Sequence, residues 1–334
     1  MTDFTEMVDL ASERLGGAVL DVNDEFFAPK EALLKPTEPE WREDAYTERG
    51  KWMDGWETRR RHGPGFDWAI IRLGLPGVIR GLVVNTAFFR GNYPEEFSLE
   101  GCELTGVPSP EALAAAPWSE IVGRSRLEGN AANRFVLDDD RRWTHLRLNI
   151  FPDGGVARLR VHGEARPHYP EFMLRGGEID LAAMENGGWA VACSDRFYGN
   201  PQNLILPGRS LFMGDGWETR RRRGPGSDWN IVRLAAPGRV HRVEIDTDHF
   251  KGNAPERATL EGIHAPGAGV DELVASDGWR PLVPGCRLEP HSRHRWEREV
   301  ADIGPVTHVR LTISPDGGIA RMRVFGTLAE RGGS

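Results

Sequence analysis

From Trp68 to Leu73 the chain alternates, with Ala69, Ile71 and Leu73 on one side and Ile70 and Arg72 on the other. From His145 to Phe151 the apolar Leu146, Leu148 and Ile150 alternate with His145, Arg147 and Asn149. A period of two predicts strands with one apolar face and one wet face. The alternating segments are short and separated by Gly, Pro, Asn and Asp, and the run PDGG (152–155) between two of them predicts a turn joining neighbouring strands. A helical pattern is confined to Phe4–Leu15 and to Ser109–Ala116, where a Ser N-cap precedes Pro. Many short strands, long polar loops and few helices predict an all-β, antiparallel sandwich of the jelly-roll type.

The pattern is written twice. Laid over Asp215–Gly262, the segment Asp54–Gly101 matches without a gap at 27 of 48 positions. The match extends upstream, from Asp9-Leu10-Ala11 to Asp180-Leu181-Ala182, and downstream, from PDGGVARLRVHG (152–163) to PDGGIARMRVFG (315–326). Each copy has the size of one domain. The reading is therefore two tandem sandwich repeats, 8–165 and 179–329, with a linker over 166–178. In each copy a pair of arginines, Arg158 and Arg160 or Arg321 and Arg323, shares a strand face and predicts a solvated, salt-bridged surface, with a second carboxylate-binding site as the other reading. His145 and His308 recur on the wet face of equivalent strands, as structural hydrogen-bonders.

Composition narrows the classes. A formal charge of -8 with 39% hydrophobic residues fits a soluble globular protein and argues against a nucleic-acid partner. No apolar run approaches the roughly 20 residues of a membrane span. The first twenty residues carry Asp3, Glu6, Asp9 and Glu13, which is not a secretory pattern. Cys102, Cys193 and Cys286 are scattered and odd in number, which reads as free thiols and a cytoplasmic address. Only four of the 42 basic residues are lysines, so it is the placement of the arginines that carries information.

The densest polar cluster is DGWETRRR, at Asp54–Arg61 and again at Asp215–Arg222. Guanidinium forks suit carboxylates, so Arg59, Arg61, Arg220 and Arg222 are candidates for gripping an anionic substrate, and the other reading is an ion-pair network holding a long loop. Glu57 and Glu218, set among arginines beside Trp56 and Trp217, are general-base candidates, with a salt-bridge role as the alternative. In the second motif, NTAFFRGN (85–92) against DTDHFKGN (246–253), Gly-Asn sets a turn, and Thr86, Asn92, Thr247 and Asn253 offer hydrogen bonds to a ureido group. The copies diverge there, since Asn85 faces Asp246 and Phe88 faces His249, which makes Asp246 and His249 a candidate proton-transfer pair for the second copy alone. The histidines are spread singly, without HExxH or comparable ligand spacing, and no nucleotide or dinucleotide motif is present, so neither a metal nor a cofactor is expected.

At DGWETRRRHGPGFDWAIIRLG, NTAFFRGNYPE and PDGGVARLRVHG, with their second copies, the chain resembles the allantoicases over Val8 to about Ala329. The resemblance implies two jelly-roll repeats of the galactose-binding-like kind, a cytoplasmic enzyme of purine breakdown that cuts allantoate into ureidoglycolate and urea, and assembly into a homo-oligomer. Allantoate carries a carboxylate and two ureido groups on one carbon, which arginine-rich loops suit. The rival class is a tandem ligand-binding module, because this fold also serves binding. A catalytically dead scaffold would have let DGWETRRR decay in one copy, and both copies are intact.

Overall fold

The computed structural model describes residues 3–106, 108–167 and 177–329. Most of the expected linker, 168–176, lies outside the described residues. The chain divides into two compact units, Met1–Arg166 and Pro167–Ser334.

The first unit strings together β1 (Val8–Asp9), β2 (Ala18–Val22), a small hairpin of β3 (Tyr46–Thr47) and β4 (Gly50–Lys51), β5 (Trp56–Glu57), and the long β6 (Asp67–Asn85). It continues with β7 (Glu96–Cys102), α1 (Pro110–Ala114), β8 (Ser119–Arg126), β9 (Ala132–Val136), β10 (Arg142–Phe151), β11 (Gly155–Val156) and β12 (Arg158–Ala165). The two layers share β6. Its first half, Ala69 to Arg72, pairs with β2 and β10, and β10 goes on to β7 and β8. Its second half pairs with β9 and β12, and β12 carries β1 at its edge. Between the halves the register with β10 slips from Trp143 to His145, opposite Leu73–Pro76, and the strand turns the corner from one layer to the other. All pairings are antiparallel, and the second unit repeats them around Asp228–Asp246. The sandwich core is filled from both layers, by Ile71, Val84, Phe97, Leu148 and Val161 among others, all buried.

Three expectations from the sequence are corrected. Phe4–Leu15 is not a helix; two 3-10 turns, Phe4–Glu6 and Glu13–Leu15, flank strand β1. The Asp9 carboxylate there accepts from the amides of Ala11 and Val161, which holds this segment at the edge of β12 instead of letting it coil. His145 and His308 are buried, not on a wet face. The outer side of β10 is covered by the α1 segment, whose Trp118 donates its indole N–H to Leu113 O and lies under the Arg147 guanidinium. In the second unit Trp279 and Arg310 repeat that cover over the strand carrying His308. Arg158 and Arg321 are likewise buried, because the chain before β5, and its counterpart before Trp217, folds over the outer face of the sheet. The short helix at Ser109 is present as read: the Ser109 hydroxyl accepts from Ala112 N at 3.3 Å.

Candidate active site

Each DGWETRRR run is an extended segment pinned at alternate residues. Asp54, Trp56 and Thr58 are buried. Asp54 meets the Arg158 guanidinium at 2.6 Å, the Trp56 indole donates to Asp24 O at 2.8 Å, and the Thr58 hydroxyl accepts from Gly154 N at 3.1 Å. Asp215, Trp217 and Thr219 make the same contacts with Arg321, Asp195 O and Gly317 N. The β5–β11 ladder, Glu57 opposite Gly155, ties the run to the PDGG turn, as Glu218 opposite Gly318 does in the second copy. Gly155 and Gly318 are required by close approach. A Cβ there would stand 2.0 Å from the Phe89 ring and 1.9 Å from the Phe250 ring, so these phenylalanines lock the NTAFFRGN and DTDHFKGN loops onto the turn.

With Asp54, Trp56 and Thr58 and their counterparts Asp215, Trp217 and Thr219 buried, Glu57 and Glu218 face a cleft in their own repeat. The first cleft, about 530 Å³, is lined by Phe27, Glu57, Arg60, Arg61, Asn92 and Tyr93, among others. The second, about 500 Å³, is lined by Tyr198, Glu218, Arg221, Arg222, Asn253 and Ala254, among others. In the first, Asn92 Nδ2 donates to Glu57 Oε1 at 2.7 Å; in the second, Asn253 Nδ2 donates to Glu218 Oε1 at 2.6 Å. Burial pushes the Glu57 carboxyl above the usual glutamate range, against the opposing pull of the Asn92 hydrogen bond.

The three adjacent arginines divide their work. Arg59 is held by Asp24 through both its backbone N–H and Nε, and Arg220 by Asp195 in the same way. Arg61 pairs with Asp67 and Arg222 with Asp228, while their backbone amides donate to Asp153 and Asp316. The Nε atoms of Arg61 and Arg222 are buried without a hydrogen-bond partner. Among the described residues the middle arginines, Arg60 and Arg221, make no ion pair; both are exposed and line the clefts. The sequence reading takes an arginine of the 59–61 or 220–222 run to grip the substrate and names only the flanking ones as candidates. The signal was available in the alternation, since residues 59 and 61 share one side of an extended run and 60 takes the other.

The remaining sequence candidates lie elsewhere. The Thr86 hydroxyl donates to Glu128 O at 2.6 Å and the Thr247 hydroxyl to Glu289 O at 2.7 Å, fastening loops beneath the surface. Asp246 and His249 are not brought together. Asp246 caps Asp248 N at 2.9 Å and faces Arg293, while His249 Nε2 lies 3.1 Å from Ser210 O. His249 takes the same left-handed backbone as Phe88, φ 70° against 69°, so this turn is shared by both copies despite the change of side chain. Among the described residues no group of three or more His, Cys, Asp or Glu is arranged to hold a metal ion.

The sequence pattern of the allantoicase repeat matches the chain twice, over residues 8–166 and 179–329. The chain belongs to the allantoicase family. It is 48% identical to a probable allantoicase of Pseudomonas aeruginosa over 97% of either chain. It is 44% identical to a probable allantoicase of Photobacterium profundum over 98% of either chain. The crystal structure of the allantoicase from Saccharomyces cerevisiae superposes with a TM-score of 0.74 at 36% identity, covering 96% of this chain and 93% of that one. Full-length matches to allantoicases thus accompany two clefts with the same glutamate, asparagine and arginine set.

Proposed function

We propose that each cleft is a site for the family's reaction, in which allantoate and water become ureidoglycolate and urea, with Glu57 and Glu218 moving the proton and Arg60 and Arg221 gripping the carboxylate. The observation that carries this reading is the recurrence, in both repeats, of a glutamate held by an asparagine beside an arginine without an ion pair. Arg61 and Arg222 line the same clefts while paired to Asp67 and Asp228. Arg59 and Arg220 hold the loop through their aspartates.

The chemistry follows from the product, whose hydroxyl sits on the central carbon. The bond broken therefore joins that carbon to a ureido nitrogen. With the carboxylate fixed by charge-assisted hydrogen bonds, the glutamate takes the N–H proton of the retained ureido group as the carbon–nitrogen bond to the other ureido group breaks. The departing nitrogen gains a proton and leaves as urea, and an acylimine remains. Water then adds across that C=N bond, hydroxyl to carbon and proton to nitrogen, giving ureidoglycolate. A glutamate raised by burial is a better base for this step than an exposed one, and Asn92 keeps its lone pair aimed.

No described helix is long and apolar enough to cross a membrane. The free Cys102, Cys193 and Cys286 support a cytoplasmic address, and the exposed Phe197, Tyr198, Leu211 and Phe212 support assembly into a homo-oligomer. The deciding experiment follows urea and ureidoglycolate from allantoate in the wild type, in Glu57→Gln, in Glu218→Gln and in the double variant. Each single variant is expected to keep part of the turnover and the double variant to lose it. Full turnover in the double variant sinks the proposed roles, and binding of allantoate without turnover by the wild type makes the chain a binding module.

A further inference from the structure

Besides the exchange of Phe27 for Tyr198, the two clefts differ at a pair of facing positions that changes as a unit. In the first repeat Tyr93 lines the cleft, and its ring rests on Gly129: a Cβ at 129 would stand 2.4 Å from Tyr93 Cε1 and 2.5 Å from Cδ1. The same two positions of the second repeat hold Ala254 and Pro290, and both line the second cleft. A proline Cβ opposite Tyr93 would fall inside the contact distance of the ring as it stands, so the ring would have to move. Where the aromatic ring is lost, the glycine that made room for it is replaced by a residue that fills the space. The cleft volumes stay close, about 530 and 500 Å³. Size is kept while the surface changes from an aromatic ring with a hydroxyl to a methyl and a pyrrolidine.

Resting on the two-cleft reading above, we propose that Tyr93 is a specificity-determining residue of the first cleft, the flat surface against which the planar ureido group retained in the product lies. An aromatic face of fixed orientation suits a planar, polarisable group. Gly129 is the positioning residue that lets the ring settle there. The second cleft has the same arginine and glutamate set but holds Ala254 and Pro290 in place of that surface, its aromatic wall being Tyr198 at the position of Phe27, so it discriminates less between ligands with and without a ureido group.

The test uses two competitive ligands, ureidoacetate, which has one ureido group and a carboxylate, and glycolate, which has the carboxylate and a hydroxyl but no ureido group. In the Glu218→Gln background, which leaves the first cleft working, Tyr93→Ala is expected to raise KM for allantoate and the inhibition constant of ureidoacetate by about five- to ten-fold. The glycolate constant should stay within two-fold, and Tyr93→Phe should restore most of the ureidoacetate affinity. Gly129→Ala should reproduce the loss when Tyr93 is present and add little in Tyr93→Ala, the coupling expected of two groups in contact. In the Glu57→Gln background Tyr93→Ala should change nothing. Equal losses for ureidoacetate and glycolate, or none for either, overturn the inference. Calorimetric titration of wild type and Tyr93→Ala with both ligands needs no turnover. It therefore tests the ring even if the glutamate variants stay fully active, an outcome that would refute the two-cleft reading alone.

Discussion

Arg158 Nη2 lies 2.6 Å from Asp54 Oδ2, and both side chains are buried. The guanidinium also donates to Thr37 O and Asp54 O, and the carboxylate accepts from Glu40 N and Lys35 Nζ. This pair fastens the start of the DGWETRRR run and the loop before it to the sheet, so it sets where Glu57 stands. Removing one partner of a buried ion pair typically costs about 3–5 kcal/mol, and here Lys35 Nζ, 3.1 Å from Asp54, leaves the carboxylate with one remaining cation. Arg158→Met is therefore expected to lower the urea-denaturation stability of its repeat by that order. Arg42→Ala, which breaks an exposed contact with Glu40, should cost under about 1 kcal/mol. A similar small loss in both variants would show that the buried pair does not anchor the run.

The division of labour among the adjacent arginines gives a second expectation. Arg60→Ala, in a chain whose second cleft is silenced by Glu218→Gln, should raise KM for allantoate by the equivalent of about 1.5–3 kcal/mol, the usual worth of a hydrogen bond to a charged group, without loss of stability. Arg59→Ala should do the reverse. Its side chain is mostly exposed and holds Asp24, so KM should move little while the loop loosens. Michaelis constants and thermal melts of the two variants decide the matter, and a larger KM effect at Arg59 would return substrate binding to the flanking arginines.

What the sequence disclosed and what it hid have a common physical origin. The repeat, the sandwich class and the position of the DGWETRRR run follow from period-two alternation and internal identity, which are local properties of the chain. The contacts of Asn92 with Glu57 and of Asn253 with Glu218 join residues that recur in both copies, so the sequence already puts them forward together. The wet faces of the strands carrying His145, His308, Arg158 and Arg321 were misread because alternation reports only which residues share a face, not whether a distant loop or helix covers it. The pairing of Asp246 with His249 failed for a related reason: three residues apart in a left-handed turn, the two side chains diverge. Which of three adjacent arginines is left without an ion pair is not legible in the sequence, since it depends on where Asp24 and Asp67 come from in the fold.

Glu57 leads to a pH expectation. Burial holds its carboxyl above 4.5, and the Asn92 hydrogen bond opposes that shift by favouring the ionised form. As a base it must be ionised, so in the Glu218→Gln chain the acid limb of kcat/KM should fall above 4.5 and rise with pH. Asn92→Ala removes the stabilising donor and should move the limb further upward. A limb that stays in place in Asn92→Ala would mean that Glu57 is not the titrating base.

Two buried groups of the second repeat should tilt stability in opposite directions across one pH window. Burial pushes the Asp180 carboxyl up from 3.8 to about 6, although Val324 N and Ala182 N donate to it and Arg323 lies 3.5 Å away. The folded state therefore holds a proton that the unfolded chain releases, and this contribution is full below 3.8 and lost as pH rises through about 6. His308 is the converse. Burial, and then Arg233 beside it, push its pKa down from 6.5 to about 4, so its contribution is full above 6.5 and lost as pH falls through about 4. Each shift corresponds to roughly 3 kcal/mol at about 1.4 kcal/mol per unit, and in the wild type the two largely offset each other between pH 4 and 6. Asp180→Asn keeps a carbonyl oxygen for the two amides and removes the titration, so its stability should fall on acidification from pH 6 to 4 more steeply than that of the wild type. His308→Gln should instead gain stability, relative to the wild type, over the same interval. Urea denaturation at half-unit steps of pH measures both slopes, and parallel curves for the wild type and the two variants would show that neither group titrates with folding.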